Sequence, residues 1–172
     1  MPKKPIKVKI KAISEEYRPT FAYSQSESNC LDLRAYIPEK EWGKPEQTIE
    51  VFPGHIVTIR TGVSLELPDG YEAVVRPRSG LAKEHGISLV NSPGTIDTGY
   101  RGEILLIVTN LRINNLSWSG YPEKNLKSFV IKDKDRIAQL AIREVPKIEM
   151  EFVEELSSSI RESKGIGSTG VK

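Results

Sequence analysis

Short runs in which every second residue is apolar, cut apart by glycine- and proline-containing turns, constrain this chain more than any other feature. Ile6, Val8, Ile10 and Ala12 alternate with Lys7, Lys9 and Lys11, the period-two signature of a strand with one buried and one solvated face. The signature recurs at Val57 and Ile59, at Val63, Leu65 and Leu67, from Ile137 to Ile142, and at Ile148, Met150 and Phe152, with Pro53-Gly54 and Pro68-Asp69-Gly70 as turns. Many short strands with frequent turns predict an all-β barrel or sandwich. Only Ser79 to His85 reads as a helix, a short one ended by Gly86, and Glu149 to Ser159 fits either strand or helix. The stretch from Arg112 to Lys127, rich in Asn, Ser, Gly and charge, reads as a long loop or hairpin excursion. After Val153 the composition turns polar and rich in Gly and Ser, which predicts a β domain over 1–153 and a flexible C-terminal arm over 154–172.

A chain of 172 residues buries one sizeable core and fits one domain better than two. Its 25 Lys and Arg nearly balance 23 Asp and Glu, so no global field points to nucleic acid or to an anionic membrane, and any anion site is local. The lone Cys30 excludes an internal disulfide, and with His55 and His85 it makes a poor zinc ligand set. A reducing cytoplasm is the expected location. The N-terminus lacks the continuous apolar core of a signal peptide, and the longest apolar run, Ile104 to Val108, is far too short to span a bilayer.

Three constellations carry chemistry. Arg76-Pro77-Arg78-Ser79-Gly80-Leu81 gathers two guanidinium forks, a hydroxyl and a glycine at the start of the helix, which is anion-binding chemistry. Taken alone, it reads rather as an N-capping serine beside surface arginines. Gly94 to Gly102, with Asp97 and Tyr100 inside it, reads as a strand, a tight turn and a returning strand into Glu103 to Ile107. Asp is common in turns because its side chain caps nearby N–H groups, so Asp97 alone does not establish a general base. Arg161 to Gly170 superficially matches phosphate loops, but no helix follows it as a Walker or Rossmann loop requires. A Gly-Ser-Thr arm with Arg161 and Lys164 can still wrap a polyphosphate with backbone N–H groups.

Read in order, these segments resemble the motifs of the trimeric dUTP diphosphatase family. The five are Asn29 to Ala35, Arg76 to Ala82, Gly94 to Gly102, Asp135 to Leu140, and Arg161 to Gly170. Each is weak by itself, and the ordered set is highly specific. The resemblance implies a distorted jelly-roll β-barrel and a homotrimer with shared active sites. It also implies hydrolysis of dUTP to dUMP and pyrophosphate by water attack on the α-phosphate, which removes dUTP and supplies dUMP for thymidylate synthesis. Carried over by position, Asp97 orients and deprotonates the water, and Tyr100 packs under the deoxyribose where a 2′-hydroxyl would clash. Arg78, Ser79 and Gly80 correspond to the phosphate cradle. The backbone from Asn91 through Thr95 and Ile96 corresponds to the uracil pocket, with Leu105 as a further substrate contact. Asp32 and Gln139 match positions that reach Mg²⁺ through waters, the metal sitting on the phosphates. Arg161, Ile166, Gly167 and Ser168 belong to a lid over base and phosphates, with Ile166 where the family usually places a stacking phenylalanine.

The nearest rival implied by the resemblance is dCTP deaminase, which has a similar Ile-Asp-x-Gly-aromatic turn but needs a catalytic glutamate in the strand that follows. Here that place holds Ile107, and no carboxylate lies between Ile104 and Asn110. A non-catalytic nucleotide-binding module is the rival of another class, and it gives no reason for Asp97, Tyr100, Ser79 and the arm to be present together.

Overall fold

A computed structural model describes residues 5–20, 28–38, 47–112 and 128–159. Most of the 112–127 excursion, and Arg161, Ile166, Gly167 and Ser168 of the expected arm, lie outside the described residues.

Among the described residues the chain forms ten strands: β1 (Lys9–Ala12), β2 (Leu31–Arg34), β3 (Thr48–Val51), β4 (Ile56–Glu66), β5 (Tyr71–Pro77), β6 (Ile87–Leu89), β7 (Gly94–Ile96), β8 (Glu103–Asn110), β9 (Phe129–Lys132) and β10 (Arg136–Glu144). They form one sheet in the order β1-β4-β8-β6, a second in the order β2-β10-β5-β7, and a ribbon β3-β9, all antiparallel. Alternation explains the layering. Ile59, Val63 and Leu65 of β4 and Ile104, Leu106 and Val108 of β8 point inward from the first sheet. Leu33, Ala73, Val75, Ala138 and Leu140 meet them from the second, and Ile49, Val51 and Ile131 of the ribbon join the same cluster. Burying a side chain of this size contributes about 1.5–3 kcal/mol, and this single core bears out the all-β jelly-roll expectation, with sheets that stay open rather than closing into a barrel.

Two expected strands merge into β4, because Gly62 at φ +67° carries an irregularity in the β4–β8 ladder between Arg60 and Ser64. The bulge is tied on three sides: Gly62 N donates to Glu103 Oε1 at 2.7 Å, Ile13 N donates to Gly62 O at 2.7 Å, and Thr61 Oγ1 donates to Ile104 O at 2.7 Å. The helix α1 (Ser79–His85) falls where the sequence places it and stops at Gly86, whose φ of +69° suits a residue without Cβ. Its N-cap is Arg78 rather than Ser79, and no side chain caps it.

The strand expected from the alternation of Ile148, Met150 and Phe152 does not form among the described residues, and these side chains stay 79%, 76% and 96% exposed. Among the described residues no helix is long and apolar enough to cross a membrane.

The bulge yields a stability test. A Cβ on Gly62 would lie 2.9 Å from Ile13 Cγ2, whereas one on Gly54, at φ +76°, would meet nothing within 4 Å. Gly54→Ala should therefore cost only the left-handed backbone penalty of about 1–2 kcal/mol. Gly62→Ala should cost more, measured as a lower urea midpoint at equal protein concentration; equal midpoints would show that Ile13 yields freely.

Candidate active site

Strands β2, β10 and β5 lie side by side, and their register brings distant sequence positions into one row. Gln139 of β10 is opposite Asp32 of β2 on one side and opposite Arg76 of β5 on the other. Directly opposed residues share a face, so all three project away from the core that Leu33, Val75 and Leu140 fill. Asp32 is buried at 9% exposure, and burying a carboxylate is costly unless cations face it. Arg136 Nη1 approaches its Oδ2 at 3.3 Å and Arg78 Nε its Oδ1 at 3.9 Å. Arg78 also donates from Nη1 to Arg136 O at 2.9 Å, which fixes its guanidinium at the start of α1 beside Ser79 and Gly80. Both Ser79 and Gly80 are exposed, and a Cβ on Gly80 would meet no atom within 4 Å.

A second group forms at the opposite end of β5. The segment from β7 to β8 is not the hairpin that the sequence suggests. Strand β7 pairs with β5 in the second sheet, while β8 pairs with β4 and β6 in the first, so the turn at Asp97 is a corner between sheets. Several bonds hold this corner: Tyr100 N donates to Asp97 O at 3.0 Å, Thr98 Oγ1 to Tyr71 O at 2.8 Å, and Arg101 Nη1 to Thr98 O at 2.6 Å. Tyr100 donates its hydroxyl to Glu103 O at 2.9 Å and lays its ring on Gly102, where an added Cβ would come within 2.6 Å of Cζ. Asp97 itself borders a recess of about 300 Å³ whose lining includes Asp69, Glu72, Thr98 and Lys147.

Between these groups, Asn91 and Thr95 are exposed and Ile96 half-buried. Among the described residues strand β7 has a neighbour on one side only, so its other edge presents main-chain donors and acceptors with no strand to receive them. A Cβ on Gly94 would lie 3.2 Å from Asn91 Nδ2, so a larger residue there would press on Asn91. Leu105, 48% exposed, and Val90, 51% exposed, add apolar surface, and Val90 N donates to Ile107 O at 2.9 Å.

The structure thus joins Asp32 and Gln139 with Arg78, and joins Asp97 with Tyr100, but keeps the two groups apart. Thr98 sits at Tyr71 and Arg78 follows the far end of β5, and at the rise of a strand the intervening residues span about 20 Å. Arg136 was missed as a site residue by sequence reasoning. Its signal is its place at the head of the strand that carries Gln139, but only the β2–β10 register reveals its contact with Asp32. Glu103, at the start of β8, is committed elsewhere: it pairs with Arg60, Nη2 to Oε2 at 3.0 Å, and accepts from Gly62 N. Among the described residues no cluster of three or more His, Cys, Asp or Glu could hold a metal ion.

Comparison with known proteins finds relatives over nearly the full chain. The dUTPase family model matches residues 44–120 and 122–170. A deoxyuridine 5′-triphosphate nucleotidohydrolase of Anaplasma marginale (strain St. Maries) is 39% identical over 96% of this chain and 99% of its own length. One of the same name from a Hydrogenobaculum species is 38% identical over 97% of this chain and 100% of its own. Among solved structures, the Staphylococcus bacteriophage 80alpha dUTPase with dUpNHpp superposes with a TM-score of 0.75 at 26% identity, covering 96% of this chain and 99% of that one. On the ordered motifs, the two-sheet fold and these full-length matches, the chain belongs to the dUTPase family.

Proposed function

We propose that this chain is a dUTP diphosphatase that hydrolyses dUTP to dUMP and pyrophosphate, with water attacking the α-phosphorus. The observation that carries the reading is the division of the chain into a guanidinium-rich end at Arg78 and a carboxylate corner at Asp97 beside an unpaired sheet edge. Displacement at phosphorus asks little covalent chemistry of a protein and much positioning and charge neutralisation. Arg78 meets the phosphates as a fork-shaped donor, with Ser79 beside the α–β bridge, where charge grows as pyrophosphate leaves. Asp97 orients the water and takes its proton. The free edge from Asn91 through Ile96 pairs with uracil through main-chain groups, so cytosine would leave them mispaired. Tyr100, pinned by Glu103 O and Gly102, occupies the space of a ribose 2′-hydroxyl. Deamination of dCTP finds no support, because no carboxylate lies between Ile104 and Asn110 in β8, and Glu103 at its head is engaged by Arg60 and Gly62.

The separation of the two groups favours a homotrimer in which Asp97 of one subunit serves the Arg78–Ser79 cradle of another. The exposed row of Ile148, Met150 and Phe152 supports association, since period-two apolar residues without a neighbour form a strand once another chain offers an edge. Arg161 with Ile166, Gly167 and Ser168 would complete the site as a closing arm, the segment over 154–172 serving that role. Because the one buried carboxylate, Asp32, is already faced by two arginines, it and its neighbour Gln139 would reach a cation only through waters, the cation being held mainly by the substrate. Mg²⁺ bound there would neutralise phosphate charge. A lone half-buried Cys30 and the lack of a strong net charge fit a cytoplasmic enzyme acting on a small molecule, with no nucleic-acid or membrane partner.

Wild-type protein should release pyrophosphate from dUTP and no ammonia from dCTP; the reverse would overturn the reading. Asp97→Asn keeps the side chain's shape but cannot accept the proton, so kcat should fall by about 10²-fold or more while the dissociation constant of dUpNHpp stays within a few-fold. Gly80 provides a complementary test. The fold leaves open space at its Cβ, and alanine is the better helix former by roughly 0.8–1 kcal/mol. Gly80→Ala should therefore leave the melting temperature unchanged or raised, and yet lower kcat/KM because the methyl enters the space of the phosphates. Unimpaired kcat/KM would remove Gly80 from the cradle.

A further inference from the structure

The row that aligns Asp32 with Gln139 ends in Arg76, and among the described residues Arg76 is the member of that row whose charge is left unanswered. Its Nε is buried and makes no hydrogen bond. Arg76 itself is half-buried, and a buried N–H without an acceptor forfeits a hydrogen bond, a cost tolerated where a partner arrives later. The carboxylate of the row cannot be that partner: Asp32 lies at the opposite end, across β10, and its two oxygens face Arg78 and Arg136. Arg34, on the same strand as Asp32, also leaves its Nε buried without an acceptor, although its Nη1 donates to Lys134 O at 2.8 Å. This end of the sheet therefore holds more positive charge than the row can balance. Arg78 follows Arg76 by two residues in extended backbone, with φ −86° and ψ 130°, so both project from the same face, and Arg78 stands at the cradle.

We propose that Arg76 is a further positioning residue for the substrate's polyphosphate, a reading that rests on dUTP hydrolysis as the activity. Two residues before Arg78 on the same face, its guanidinium acts on the charge of the β- and γ-phosphates. It therefore distinguishes a triphosphate from a monophosphate and takes no part in the proton transfer at Asp97. Before substrate arrives, the same charge raises the local positive potential and draws the polyanion in. Lysine would keep the charge without the fork, and glutamine would keep polar bulk without charge.

The experiment compares wild type, Arg76→Lys and Arg76→Gln as assembled proteins with Mg²⁺ present, by calorimetric titration with dUpNHpp and with dUMP, alongside kcat and KM for dUTP. Arg76→Gln should weaken dUpNHpp binding about tenfold and dUMP binding by less than about twofold, raise KM more than it lowers kcat, and lose part of the salt dependence of dUpNHpp binding. Arg76→Lys should recover a large share of the dUpNHpp affinity. Equal losses for both ligands would overturn the proposal. So would unchanged affinities with a lower melting temperature or a loss of assembly, which would make Arg76 a structural or interface residue. The dUpNHpp:dUMP ratio needs no turnover, so a wild type that failed to cleave dUTP would refute the activity while the ratio still decided the role of Arg76.

Discussion

Everything in the site is spaced by β5. A strand hydrogen-bonded on both edges cannot shorten or bend appreciably, and β5 is held by β10 along Tyr71–Pro77 and by β7 along Ala73 to Val75. One end therefore delivers Arg76 and Arg78 to the row with Gln139 and Asp32, and the other end receives Thr98 and sets the corner that carries Asp97 and Tyr100. Because β5 is rigid and the two ends are about 20 Å apart, no side-chain rotation within a subunit unites the carboxylate with the arginines. A reaction that needs both has to recruit a second copy, and the described residues leave an apolar row, at Ile148, Met150 and Phe152, without cover.

Charge follows the same geometry. At the arginine end Asp32 absorbs part of the positive potential and orients Arg78 and Arg136, leaving the remainder for an anionic ligand. Elsewhere, carboxylates are committed to structure: Glu103 ties Arg60 and the Gly62 bulge together, and Asp133 accepts from the backbone N of Ile37 and from the Tyr17 hydroxyl. Such commitments free Asp97 to be the carboxylate at an otherwise unpaired edge.

Much of this is legible in the residues. Alternation locates β4 and β10 because one face of each is buried in the core, and the helix stop at Gly86 follows from its left-handed backbone. The row from Asp32 through Gln139 to Arg76 is not legible, since register depends on pairing between strands far apart in sequence and no local pattern encodes it. The corner at Asp97 reads as a hairpin for a related reason. Two adjacent strands and a tight turn look alike whether the strands pair with each other or with different sheets. The strand expected at Ile148 to Phe152 does not form because alternation sets which face is apolar but does not provide an edge to pair with. The motifs nevertheless identify the family in order, because a motif records which residues are present rather than how far apart they fold.

The central claim, that each site takes Asp97 from one subunit and the Arg78 cradle from another, is tested most directly by subunit mixing. Asp97→Asn and Arg78→Gln proteins, each inactive alone, are unfolded together in equal amounts and refolded as mixed assemblies. Random mixing gives each site a one-half chance of an intact contributor at each position, so dUTP turnover should return to about a quarter of the wild-type value. No recovery, from assemblies shown to have mixed, would mean that both residues serve a site within one chain and would contradict the account.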